Sequence, residues 1–187
     1  IYDKIKANDP TAFDGIDLPD DQPIVTVCGG GKLSVTAAEK LQDKGYKALS
    51  LQGGMKAWNF AWNTAELKLN DAKIIQVRRS SKGCLSYIIS SGSDAIVIDA
   101  SLDPQVYIGI AKDNGSIIRY VTDTHIHADY LSRTRELAQA TDAKHLLIDK
   151  VSVEYPFVPI ESGEQIKIGM VTLEVIHTPG HTLESTS

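Results

Sequence analysis

The sequence predicts an α/β protein built in two successive segments, and three observations carry that expectation. In the N-terminal third an apolar strand runs directly into three glycines and a helix, the order of a parallel α/β unit. From about residue 73 the rhythm changes to consecutive strands separated by short turns. Between the two, around residues 60–71, the hydrophobic period is lost. The segments therefore divide near residue 65, as 1–65 and 66–187.

In the first segment, PIVTVC (23–28) is a short β-branched run of the kind that makes a buried strand, and Gly29, Gly30 and Gly31 stop it at once. SVTAAEKLQDKG (34–45) reads as a helix: Val35, Ala38 and Leu41 form an apolar stripe, Ser34 is placed to cap the start, and Gly45 to end it. A strand over 48–51 follows, then Gly53-Gly54 and a helical turn containing Trp58. Asn63, Thr64, Asn70 and Asp71 suggest a linker. The second segment opens with strands over 73–78, 84–90 and 94–100, turning at Ser80-Ser81-Lys82-Gly83 and Ser91-Gly92-Ser93. A helix over 104–113, a strand over 116–123, a helix over 129–140 and a strand over 144–148 come next. Strands over 165–168 and 170–178 close the chain, the last running into Pro179-Gly180.

Composition narrows the function classes. Of 187 residues, 42% are hydrophobic and 23% charged, which excludes a disordered or coiled-coil chain. The formal net charge of −5 and the absence of a basic block argue against nucleic acid as a partner. No apolar run approaches the ~20 residues of a membrane span, so no membrane partner is expected. Cys28 and Cys84 do not make a disulfide scaffold, and a reduced, cytoplasmic setting is expected. The chain begins with Ile1 rather than Met, as a processed chain or one whose beginning is missing would.

Two clusters carry chemistry. Cys28 ends a strand and precedes a helix start, so the N–H groups of the intervening loop and the positive end of the helix both favour a thiolate. Such a cysteine acts as a nucleophile, with Lys32 as an extra positive group; the alternative is a structural cysteine at a strand end. Farther on, His125 and His127 follow the apolar strand IIRYVTDT, with Asp129 two residues later. On a turning segment alternate residues face one point, so His-x-His-x-Asp is a metal-ligand pattern. His181 stands after the second turn, in HTPGHT (177–182). Taken singly, each histidine could be a satisfied strand-end residue. Cys84 lies mid-strand with no motif around it and reads as structural.

PIVTVCGGGKLS with LQGGMKAW (51–58) resembles the C-terminal half of a rhodanese domain. The resemblance implies that Cys28 accepts sulfane sulfur and that Gly29, Gly30, Gly31, Lys32, Leu33 and Ser34 form the substrate or anion loop. Many loops of that family read C-x-x-G-x-R-S; here Leu33 stands in place of the arginine. THIHADY (124–130) with HTPGHT resembles the metallo-β-lactamase superfamily over roughly residues 66–187. The fold class so implied is an α/β rhodanese-like segment followed by the N-terminal half of an αββα metallo-β-lactamase fold, the first lacking its front and the second its back.

The common motif in that superfamily is THxHADH, and Tyr130 replaces its last histidine. This implies a mononuclear site in which His125, His181 and a later acidic residue, expected beyond Ser187, hold Fe(II), with Zn as the alternative. His127, Asp129 and Tyr130 then take supporting or alternative ligand roles. Persulfide dioxygenases fit this description, giving metal-dependent oxidation of a thiol persulfide to sulfite coupled to sulfur transfer through Cys28. A zinc thioester hydrolase of the glyoxalase II type and a non-catalytic sulfur carrier are the competing readings. The partner is accordingly a small thiol persulfide or a thioester, with self-association through exposed sheet surface expected as well.

Overall fold

The computed structural model describes residues 1–187, and the chain forms two compact units: Ile1–Ala61 with Ser80–Lys82, and Trp62–Arg79 with Gly83–Ser187. In the first unit a short helix α1 (Tyr2–Lys6) precedes strand β1 (Ile24–Thr26), helix α2 (Lys32–Asp43), strand β2 (Ala48–Ser50) and helix α3 (Gly54–Trp58). β1 and β2 are parallel, with Ile24 opposite Ala48 and Thr26 opposite Ser50. The stripe expected on α2 is present in part. Ala37, Ala38 and Leu41 are buried against Ile5, Ala12 and Ala48, whereas Val35 is 44% exposed. Ser34 does not cap the helix: Gly31, at φ 83°, holds the cap position, and the Ser34 side chain is buried beneath the cysteine loop. Only glycine takes that backbone angle freely.

The second unit is a seven-stranded sheet in the order β3-β4-β5-β6-β7-β8-β9. The strands are β3 (Trp62–Lys68), β4 (Lys73–Arg79), β5 (Cys84–Ser91), β6 (Asp94–Ile98), β7 (Ile117–Thr122), β8 (Lys144–Ile148) and β9 (Val158–Ile160). β3 to β6 form the antiparallel meander that the sequence predicts, and β6 to β9 are parallel. Helices α4 (Pro104–Asp113) and α5 (Thr134–Thr141) make the crossovers on one face, as parallel neighbours require. Ile75, Val77, Ile88, Val97, Tyr107 and Leu137 fill the core under these helices. On the opposite face Ile96, Leu146 and Ile160 pack with Ile166, Ile168 and Val175, contributed by and next to the hairpin β10 (Gln165–Ile168) and β11 (Val171–Glu174). Alternation along β6 places Val97 on one face and Ile96 on the other. No helix is long and apolar enough to cross a membrane.

Four sequence expectations change here. The linker read around Asn63 and Thr64 is strand β3, paired with β4 from Trp62–Arg79 to Lys68–Lys73. Every residue of β3 is exposed, so nothing in its sequence alternates. The helix expected from Asp129 starts at Thr134 instead, because Ser132 donates to both Asp123 carboxylate oxygens, at 2.9 and 3.0 Å, and holds the preceding loop. The last strand is only Val171–Glu174, not 170–178. β9, which contains Pro159, was invisible as a strand because it is a short edge, where proline is tolerated.

Tyr107 ties α4 to the segment after β6. Its fully buried hydroxyl accepts from the N–H of Ser101 at 2.8 Å and of Leu102 at 3.1 Å, and lies 2.9 Å from Ser86 Oγ. Tyr107→Phe leaves two buried N–H donors without an acceptor, at about 1–3 kcal/mol each. The expected loss is about 2–6 kcal/mol of unfolding free energy, measured by urea denaturation.

Candidate sulfur-transfer and metal sites

The cysteine loop is held by its neighbours' backbone. The N–H of Met55 donates to the Cys28 carbonyl at 2.9 Å and that of Lys56 to the Gly29 carbonyl at 3.0 Å, so the start of α3 clamps the loop. The approach is close enough to demand glycine. A Cβ on Gly54 would meet the Cys28 carbonyl oxygen at 2.1 Å, and one on Gly31 would meet Gly53 N at 2.7 Å. Gly53, at φ 67°, is constrained separately, since a Cβ there would meet the Ala57 Cβ at 2.5 Å; together these contacts account for the Gly-Gly of LQGGMKAW.

Within the loop, the Gly31 N–H donates to Cys28 Sγ at 3.2 Å, and Ser34 Oγ lies 3.4 Å from it. Ser50 Oγ donates to Ser34 Oγ at 2.9 Å and so anchors that hydroxyl. The hydrogen bonds of the Ser34 side chain and backbone, then of the Gly31 and Gly30 N–H groups, lower the Cys28 thiol to about 7. Lys32 is exposed and is not among these groups, and Leu33 packs with Ile5, Ala12 and Ala37 instead of facing the sulfur. Hydrogen bonding, not a cation, prepares this thiolate.

The sign of the pH dependence follows. The thiolate is the reactive form, so a lowered pKa puts half-maximal reactivity near pH 7, where an unperturbed thiol is only a few per cent ionised. Iodoacetamide labelling of Cys28 is expected to plateau above about pH 8 and to fall tenfold per unit well below 7. Ser34→Ala should move the midpoint upward. Cys84 is buried and also free.

The histidines form one cluster. The His125 ring centroid lies 4.1 Å from that of His127 and 4.7 Å from that of His181, the latter edge-on. His125 Nδ1 is 3.0 Å from Thr124 Oγ1, which leaves Nε2 for a ligand. Burial, then the neighbouring His127 and His181, hold His125 below the usual imidazole range, the neutral form that a metal binds. His177 stands apart, its Nε2 2.8 Å from the Leu183 carbonyl.

Two carboxylates complete the cluster, and sequence reasoning assigned a role to neither. Asp99 follows β6 and Asp123 follows β7, so each ends an apolar parallel strand (IVID and YVTD) at the same edge of the sheet, where α/β folds place their sites. That strand-end placement was the available signal. Asp99, Asp123 and His127 present ligand atoms that all lie within 4.8 Å of one another, a potential metal-binding site. His125 and His181, the ligands expected from the sequence, are not part of that group.

Asp99 also organises the loop. It accepts from the Thr124 N–H at 2.7 Å and the Thr124 hydroxyl at 2.9 Å, and its Oδ1 lies 3.0 Å from His127 Nε2. Burial opposes charge on His127, but the Asp99 hydrogen bond and charge, with Asp123 and Asp129, hold it above its usual value. Burial, reinforced by Asp99, pushes Asp123 up to about 6 against the hydroxyls of Thr134 and Ser132. Asp129 is 4.0 Å from His127 Nδ1 and its side chain is 75% exposed. Tyr130 stacks on His127, with centroids 4.3 Å apart, and burial with the Asp99 and Asp123 charges raises its phenol, which stays protonated.

Imidazoles beside buried carboxylates are a donor set that suits Fe(II) or Zn(II) equally. Fold and site together define a mixed α/β unit with a potential metal-binding site, preceded in the chain by a rhodanese-type unit. The chain belongs to the Metallo-beta-lactamase superfamily, whose family model matches residues 81–186, and carries a Rhodanese-like domain at residues 3–61. It is 31% identical over 110 residues to a Hydroxyacylglutathione hydrolase of Anaeromyxobacter dehalogenans (strain 2CP-C), covering 58% of this chain and 43% of that protein. It is 29% identical over 90 residues to the mitochondrial Persulfide dioxygenase ETHE1 of Homo sapiens, covering 48% and 35%. The chain thus spans less than half the length of these relatives. Among solved structures, a metallo-beta-lactamase from Staphylococcus aureus subsp. aureus COL superposes with a TM-score of 0.59 at 29% identity, over 63% of this chain and 37% of that one. ETHE1 from Myxococcus xanthus superposes at 0.54 over 66% and 52%, its 22% identity bearing on the fold alone.

Proposed function

We propose that the chain handles sulfur carried on a small thiol, and that its metal-dependent reaction is the oxidation of a thiol persulfide to sulfite. In balance, a thiol persulfide, dioxygen and water give the thiol, sulfite and two protons. The observation that carries this reading is Tyr130 stacked on His127: by resemblance to THxHADH this phenol stands in the sequence where the imidazole for a second metal ion is expected. One ion with open positions suits oxygen chemistry better than a paired hydrolytic centre.

His125 and His181 would hold the ion, with Asp99, Asp123 and His127 as further or alternative ligands. When bound, the metal would supply Lewis-acid chemistry, and as iron also redox chemistry. The protein's part is positioning. Thr124 orients His125 through Nδ1, and Asp99 fixes Thr124 through its N–H and hydroxyl. Cys28 would accept or donate sulfane sulfur as a persulfide on its own Sγ, a chemistry that shares the thiol persulfide with the metal reaction.

Thioester hydrolysis is the second reading. It is favoured by the comparisons, in which Hydroxyacylglutathione hydrolases recur among the curated relatives, from Anaeromyxobacter dehalogenans to Rhodopseudomonas palustris and Hahella chejuensis. The two separate on substrate and metal. Oxygen uptake and sulfite release with a thiol persulfide, present with iron and absent with zinc, are expected. Cleavage of a thioester by the zinc-loaded chain, with no oxygen uptake under any loading, would replace the first reading with the second.

A further inference from the structure

His145, on β8, is buried to 7% exposure, yet neither of its ring nitrogens has a hydrogen-bond partner. Buried polar side chains are ordinarily satisfied, and one that is not points to something that occupies the space beside it. That space exists. His145 lines a cavity of about 380 Å³, within the range of small-molecule sites, whose wall also includes Arg135, Tyr155, His127 and Tyr130. The His145 and Tyr155 rings lie nearly parallel, 7° apart with centroids at 5.7 Å, and the Arg135 guanidinium carbon sits 5.1 Å from the Tyr155 centroid.

The charge in this cavity is specific. Glu136 is paired with Arg133 at 2.6 Å, and Asp123 accepts from the hydroxyls of Ser132 and Thr134. Arg135 makes no ion pair, and its guanidinium is held over an aromatic ring. Burial, then the charge of Arg135, keep His145 neutral, so its ring offers one N–H donor and one acceptor nitrogen. A planar cationic fork beside an unused N–H is the donor pattern that recognises a carboxylate.

We propose that this cavity binds the carboxylate of a small molecule, with Arg135 and His145 as its donors. The carboxylate could belong to a thiol whose sulfur reaches the adjoining imidazoles, or to a separate metabolite. The site does not depend on which reaction the metal supports, because binding can be read on the metal-free chain.

The test follows the His145 ring ¹H–¹³C resonances of the full 187-residue chain during titration with acetate, N-acetylcysteine and N-acetylcysteine amide at constant ionic strength. Saturable shifts with the two carboxylates and none with the amide are expected. Arg135→Gln, at an exposed position that leaves the fold intact, should weaken both at least tenfold. N-acetylcysteine binding tenfold tighter than acetate assigns the carboxylate to a thiol, and equal affinity assigns it to a free carboxylate; either supports the site. An absence of saturable shifts, equal shifts with the amide, or unchanged affinity in Arg135→Gln overturns it. His145→Gln, which keeps a donor and an acceptor, checks that the response arises at this ring.

Discussion

Alanine at both His125 and His181 is expected to remove the ion we propose these imidazoles hold and to abolish the proposed metal-dependent reaction. The two rings lie edge-on at 4.7 Å, and the neighbouring His127 already has its Nε2 3.0 Å from Asp99 Oδ1. A bound ion contributes several kcal/mol to the barrier of such reactions, so its loss corresponds to a rate reduction on the order of 10³-fold or more. Metal content by mass spectrometry should fall well below the one ion per chain expected of the unaltered protein. His177→Ala is the control: that ring is bonded to the Leu183 carbonyl, and its loss should leave the metal in place. Asp99→Asn should fall between the two, because it removes the charge beside His127 and one of the two oxygens that hold Thr124 and His127, without removing an imidazole.

Serine at Cys28 is expected to end the sulfur uptake proposed for the rhodanese-like unit. The hydroxyl that replaces the thiol is not ionised near pH 7 and cannot form a persulfide, so the hydrogen bonds that prepare the thiolate have nothing to act on. Transfer of radiolabelled sulfane sulfur to the chain is expected to drop to background, with the fold retained because Cys28 contributes little to the core of its unit. Oxidation of added thiol persulfide should survive the change. A loss of both activities together would mean that Cys28 serves the metal reaction itself.

How much of this was legible differs from element to element. β5 was plain in the sequence, because its residues alternate between buried and less buried positions along CLSYIISS. β3 was not, because both of its faces meet solvent and no alternation marks it. The start of α5 was misread by several residues, since the loop before it is fixed by Ser132 and Asp123 side chains, a contact that no local propensity encodes. The site shows the same division. Spacing placed His125 and His127 together, and HTPGHT supplied His181, which the fold brings to within 4.7 Å. Asp99 and Asp123 were missed because they approach only when β6 and β7 pair in parallel, setting Ile98 against Thr122. The preparation of Cys28 was foreseen in kind but not in source: glycine N–H groups were expected, whereas Ser34, read as a helix cap, supplies the largest share.

The account rests on a single ion held by imidazoles, and X-ray absorption on the iron-loaded chain tests it most directly. One iron per chain, with a nitrogen and oxygen shell and the outer-shell scattering of about two imidazoles that disappears in the His125→Ala, His181→Ala chain, is the expected result. Two ions per chain, or a shell without imidazole scattering, would contradict it.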